Sequence, residues 1–367
     1  MAFRHLYLHI PFCRHKCGYC DFNAYAGMDR LMDEYVTALE RELAGAAGRF
    51  RFGALRTVYL GGGTPSLLPA DLAGRLLRRV NQIFSVEPDA EITLEANPAS
   101  TDPARLAAWR EGGVNRLSLG VQGFDPRALA VLERRTDGAQ ARRAFRQARE
   151  AGFGNISLDL IYAVPFQTEA SWRDTVEQAL ALGPEHFSCY GLSFEEGTLL
   201  HRRRQEGRLP EVDADAQWDL LDAADHMLAA AGYRRYEVSS WARPHCRSRH
   251  NRAYWACRPV YGAGAGAHTY TRAGDGARRW WNVARPRDYI HASPLPMADG
   301  EVLDSRLARA ERIMLGLRTV RGLRPPRGFE PQLDRLEAAG LVRRRGRWIA
   351  PTRRGLDLHS QIALAVL

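Results

Sequence analysis

The chain has 367 residues, 45% of them apolar, which suits one large domain plus an appendage around a well-buried core. No run of about 18 apolar residues occurs, so no membrane-spanning helix is expected. The formal charge of +10 rests almost wholly on arginine, since Lys16 is the only lysine, and this compositional bias explains the charge as well as a polyanionic partner would.

Six short apolar runs follow one another, at residues 5–10, 57–62, 91–96, 116–121, 155–162 and 186–192. Amphipathic helical patterns separate them, for example over 32–44, 69–83, 139–151 and 171–182, and another at 214–231 follows the last run. Alternating strands and helices call for parallel pairing through right-handed crossovers. The expected fold class is α/β: a partial (β/α)6 barrel over residues 1–232, open on one side. After Gly232 the chain turns rich in aromatics, arginine and glycine, so residues 233–304 read as a small mixed region of short strands and loops beside the barrel. Residues 305–367 read as a winged-helix-like α+β domain with a strand hairpin turning at Arg345 and Gly346. The N-terminal stretch MAFRHLYLHIPFC has no cleavable signal pattern, and a cytoplasmic location is expected.

The stretch CRHKCGYCDF places Cys13, Cys17 and Cys20 in a C-x3-C-x2-C loop directly after the first strand run. In a cytosolic chain, clustered cysteines read as metal ligands rather than disulfides. Structural zinc wants four ligands, and Cys189, Cys246 and Cys257 are distant, though one of them remains available to a zinc site. A cubane iron–sulfur cluster needs only three thiolates to leave one iron open for a ligand.

With Tyr19 ahead of the third cysteine, this loop resembles the signature of the radical S-adenosylmethionine (SAM) superfamily. The resemblance implies a [4Fe–4S] cluster on the three thiols. Its open iron is chelated by the amino and carboxylate groups of SAM, and one electron splits the sulfonium to a 5′-deoxyadenosyl radical. Further motifs stand at the ends of successive strand runs, where a parallel barrel builds its site. They are GGGTP at 61–65, Glu95, Gln122, Arg134 one helix later, and Asp159. Glycines permit close backbone approach to a ligand. Two carboxylates, an amide and a guanidinium suit a zwitterionic amino acid and a ribose.

YLHIPFCRHKCGYCDF, GGGTP, SLGVQGF, DLIYAVPFQT and YGLSFEEGT together are similar to the HemN-like, coproporphyrinogen-dehydrogenase branch. There, positions equivalent to Tyr7, Gly62, Gly63, Thr64, Glu95, Gln122, Arg134 and Asp159 contact SAM, with Ser193 a further candidate. His9 matches a histidine important in the porphyrinogen enzyme; as a plain strand residue it would help position the cysteine loop. Two departures argue against porphyrinogen oxidation: Phe22 stands where those enzymes have a fourth cysteine, and Cys13 lies nearly at the start of the chain.

HNRAYW, from His250 to Trp255, resembles the signature of the HemW haem-chaperone subgroup, and the tail is similar to that subgroup's C-terminal domain. Without the resemblance, a lone histidine in an aromatic loop reads as structural. With it, His250 becomes an axial ligand to haem iron, with arginines holding the propionates and Cys246 or Cys257 as alternative ligands. The resemblance implies a chaperone that delivers haem to apo haem proteins of the respiratory chain. It also implies a cluster-dependent homodimer and transient, peripheral membrane contact. Whether the radical site catalyses a reaction is left open. The alternative is an oxygen-independent coproporphyrinogen III dehydrogenase or another radical SAM enzyme. Nucleic-acid binding through the tail is the weakest reading, and no nucleic acid is expected as a partner.

Overall fold

The computed structural model describes residues 2–367. Six strands pair side by side in chain order, all parallel: β1 (Phe3–Ile10), β2 (Phe52–Gly62), β3 (Val86–Ala96), β4 (Arg116–Gln122), β5 (Ile156–Tyr162) and β6 (His186–Gly191). Helices Met32–Arg49, Ala70–Ile83, Pro103–Glu111, Gly138–Glu150 and Glu169–Leu182 make the crossovers, and Ala214–Ala230 follows β6. Local chemistry fixes the helix ends. Thr168 and Ser171 form a reciprocal capping box at the start of Glu169–Leu182, and Gly183 ends it at φ +68°. β2 and β3 begin five residues earlier than their apolar runs. These extra segments carry Arg56, Glu87 and Asp89, and the β2–β3 register shifts between Leu55 and Thr57. Leu6, Leu8, Ile10, Val58, Leu60, Leu94, Leu117, Leu119 and Leu158 are fully or almost fully buried in the strands. The main core lies between these strands and the helices.

Residues 233–304 do more than pack beside the six strands. Tyr261–Ala263 adds in parallel to the outer edge of β1, and Ser240–Ala242 adds antiparallel to β6, itself paired with Arg234–Glu237. The sheet therefore has nine strands, and both edges of the six-strand unit have their hydrogen bonds taken up. A separate antiparallel sheet follows, of His268–Ala273, Gly276–Asn282 and Met297–Leu303.

From Ser305 the chain forms helices Ser305–Leu317 and Glu330–Ala338. The hairpin Val342–Arg345/Trp348–Pro351 and helices Arg353–Asp357 and His359–Val366 follow. Arg345 pairs with Trp348 across a two-residue turn containing Gly346 at φ +59°. Ile313, Leu317, Leu333, Leu336, Ile349 and Ile362 form a second buried cluster here. Among the described residues no helix is long and apolar enough to cross a membrane.

Candidate functional site: a cavity walled by three thiols

A cavity of about 590 Å³ opens at the C-terminal ends of the parallel strands. Cys13, Cys17, Cys20, Gly62, Gly63 and Thr64 line it. Glu95, Gln122, Arg134, Asp159 and Ser193 also line it.

The cysteine loop is clamped at both ends. Phe12–Cys13 pairs with Tyr25–Ala26, and His9 Nε2 donates to the Asn23 carbonyl at 2.9 Å, while its Nδ1 accepts from Tyr7 Oη at 3.1 Å. His9 thus has the positioning geometry of a strand histidine. Asn23 Nδ2 donates in turn to the carbonyls of Ala265 and Ala284. Cys13 Sγ lies 3.3 Å from Thr64 Oγ1, and Arg134 Nη1 donates to Cys17 Sγ at 3.7 Å. Burial raises the Cys13 thiol and pushes Cys20 up to about 11. All three are free thiols, and Cys189, Cys246 and Cys257 are not among the lining residues, so the cavity offers no fourth.

Gly62 and Gly63 serve the loop's packing. Gly62 has φ +116°, and a Cβ there would lie 2.6 Å from the His9 ring. A Cβ on Gly63 would lie 2.8 Å from the Phe12 carbonyl oxygen and 3.1 Å from Cys13 Sγ. A side chain at either position would displace the thiol loop.

The polar wall is desolvated and incompletely paired. Burial pushes the Glu95 carboxyl up to about 7, against donation from Tyr59 Oη at 2.7 Å and the Gly62 N–H at 3.1 Å. Asp159 is also raised by burial and accepts from Ser118 Oγ at 2.9 Å and Ser157 Oγ at 3.3 Å. Arg134 donates to the Gly120 carbonyl, yet its buried Nε has no partner. Gln122, which lines the cavity, holds a φ of +70°, and Glu133, next to Arg134 in sequence, one of +54°. Left-handed backbone at non-glycine residues is strained and clusters at functional sites.

The chain is similar to known proteins. Residues 7–179 match the radical SAM superfamily. The chain is 38% identical over 371 residues to the heme chaperone HemW of Mycobacterium tuberculosis, covering 99% of this chain and 94% of that one. It is 38% identical over 293 residues to the heme chaperone HemW of Escherichia coli, covering 78% and 75%. Among solved structures, coproporphyrinogen III oxidase (HemN) from Escherichia coli superposes with a TM-score of 0.83 at 24% identity, over 99% of this chain and 89% of that one. The chain belongs to the HemW family.

The HemW family lies within the radical SAM superfamily, which implies a [4Fe–4S] cluster and SAM. The cavity suits both: three soft thiols on one loop, a guanidinium for a carboxylate, and carboxyls to accept from amino N–H groups and ribose hydroxyls. Cys13, Cys17 and Cys20 would hold the cluster, which would supply one-electron reducing chemistry next to SAM.

Two residues predicted from the HemW and HemN-like signatures lie apart. Tyr7 is not among the lining residues; its ring stacks 6.1 Å from Tyr59 inside the barrel. His250 is 1% exposed, stacks 4.9 Å from the Tyr59 ring, and lies 2.7 Å from Thr57 Oγ1 through Nδ1. Burial lowers its pKa to about 3, so the imidazole is neutral, and its Nε2 has no partner. Its helix, Arg249–Trp255, is fastened by Glu91, which accepts the Arg249 and His250 backbone N–H groups at 2.8 and 2.9 Å. Axial ligation of haem by His250 would require that helix to move away. Cys257 is buried as well, while Cys246 is only part-buried.

Sequence reasoning missed Tyr59 and Ser118, the supports of Glu95 and Asp159. The signal for Tyr59 is strand alternation, which puts it on the same face as Gly61, inside the barrel.

Proposed function

We propose that this chain is a haem chaperone that binds haem and passes it to apo haem proteins of the respiratory chain. It carries a [4Fe–4S] cluster on Cys13, Cys17 and Cys20 and SAM in the adjoining cavity. The observation that carries this reading is the 38% identity to a heme chaperone HemW across 99% of the chain. Phe22, in place of a fourth cysteine, supports it over porphyrinogen oxidation.

Within the cavity, the Arg134 guanidinium takes the SAM carboxylate. Glu95 accepts from the N–H groups of the SAM amino group, with Tyr59 and Gly62 fixing the carboxylate's orientation. Asp159 and Gln122 take ribose hydroxyls. The division into residues 1–232, 233–304 and 305–367 belongs to the same reading, as do a cluster-dependent homodimer and transient membrane contact. His250 is sealed inside the barrel, so the reading does not rest on it as a haem ligand in this conformation.

A paired assay of the anaerobically reconstituted protein tests the proposal. Haem transfer to an apo-acceptor without coproporphyrinogen turnover is the expected result. Decarboxylation at a catalytic rate would overturn it.

A further inference from the structure

A second cavity, of about 300 Å³, lies beside the N-terminal ends of β1 and β2, remote from the thiol loop. Phe50, Tyr261 and Trp280 line one side of it. Phe50 and Trp280 stack at 5.4 Å with 24° between their planes, and Tyr261 lies 5.7 Å from Phe50. The facing wall is the segment 294–297, where Leu295 and Met297 are 58% and 48% exposed. That segment is anchored by Pro296, whose carbonyl accepts from the Val283 N–H at 2.8 Å.

Two guanidiniums stand over the aromatic face: Arg49 is 5.8 Å from the Phe50 centroid and Arg278 is 5.6 Å from that of Trp280. Neither has a hydrogen-bond or ion-pair partner among the described residues. The neighbouring Arg279, by contrast, is paired with both Glu301 and Glu311. The floor offers no free donor from its amide, because both bonds from Asn282 Nδ2 go to Glu42 and the Gly264 carbonyl. Unclaimed positive charge therefore sits at the rim and apolar surface lies within.

That distribution selects a flat, apolar ring whose acidic groups stay at the edge. We propose that this cavity docks haem, with the porphyrin edge against Phe50 and Trp280 and the propionates on Arg49 and Arg278. The inference rests on the haem-chaperone reading and gives it a place on the molecule. A cavity of this size takes only part of a porphyrin and leaves the remainder at the surface, covered on one side by Leu295 and Met297. A carrier that must release its cargo to another protein requires that partial exposure. Recognition here is by ring and carboxylates, so it does not depend on the thiol loop at the other end of the strands.

The test is titration of the full-length protein with ferric haem and, separately, with metal-free protoporphyrin IX, read by absorbance and tryptophan quenching. The Arg49→Glu/Arg278→Glu double variant is expected to weaken both ligands at least tenfold. A charge-matched control, Arg143→Glu/Arg146→Glu, on an exposed helix face, is expected to bind as the wild type does. A Cys13→Ser/Cys17→Ser/Cys20→Ser variant is expected to keep haem binding. If wild type binds no haem, the chaperone reading itself falls. If wild type binds haem but the Arg49/Arg278 variant binds equally well, or protoporphyrin fails to bind, this site is overturned and the chaperone reading stands.

Discussion

Glu95, at the cofactor end of the sheet, and Glu42, where helix Met32–Arg49 meets residues 261–289, are both pushed up to about 7, and burial is the main cause for each. Their surroundings differ. Glu42 is 1% exposed and accepts from Tyr289 Oη at 2.6 Å, Asn282 Nδ2 at 2.8 Å, the Gly264 N–H at 2.9 Å and Tyr261 Oη at 3.3 Å. Those four donors fill the acceptor capacity of the ionised carboxylate. Glu95 has two donors and lines an open cavity. The same perturbation thus marks a structural knot in one place and a ligand contact in the other. Unfilled hydrogen-bonding capacity facing a cavity separates them; the pKa alone does not.

The largest expected effect breaks the cofactor end outright. Anaerobic reconstitution should load about four irons per chain on the three thiols. Cys13→Ser, Cys17→Ser or Cys20→Ser should each bring the iron content close to zero by elemental analysis, while Glu42→Gln leaves it unchanged.

Next in size is the stability that Glu42 supplies. Its folded pKa is raised, so the folded chain holds a proton that the unfolded chain releases. The contribution is complete below about 4.5 and is lost as pH rises through about 7, worth on the order of 3 kcal/mol. Denaturant unfolding at pH 5 and pH 8 should therefore show a smaller loss in Glu42→Gln than in wild type. An unchanged loss would remove Glu42 as its source.

The smallest effect sharpens the contrast. Glu95 accepts most strongly from the SAM amino N–H groups when it is ionised, and its ionised fraction rises from roughly a tenth at pH 6 to roughly nine-tenths at pH 8. SAM affinity of the reconstituted protein, measured by calorimetry, should increase about tenfold over that interval. Glu95→Gln should flatten the dependence, whereas Glu42→Gln should preserve it.

The parallel β/α unit was legible because apolar runs and helical periodicity are local signals. The cavity residues were legible because a parallel sheet brings its loops to one end, so motifs far apart in the chain meet there. The edge strands Ser240–Ala242 and Tyr261–Ala263 were not legible. Three residues are too short for a periodicity, and their partners, β6 and β1, lie far away in sequence. His250 is of the same kind. Its place inside the barrel is set by Glu91 capping its helix and by Tyr59 beneath its ring, contacts that local sequence does not encode. For Gly62 and Gly63 the residue type was informative but its main reason was hidden, since the close neighbours are His9, Phe12 and Cys13.

The tie from Asn23 to Ala265 spans 242 residues, and the strand that closes the edge of β1 begins only at Tyr261. During synthesis at about 5–20 residues per second, the thiol loop leaves the ribosome roughly 12–50 seconds before its backing exists. Over that interval the loop hangs from a strand with one bare edge. Iron–sulfur loading therefore has a natural place late in the life of the nascent chain, after residue 284 has emerged.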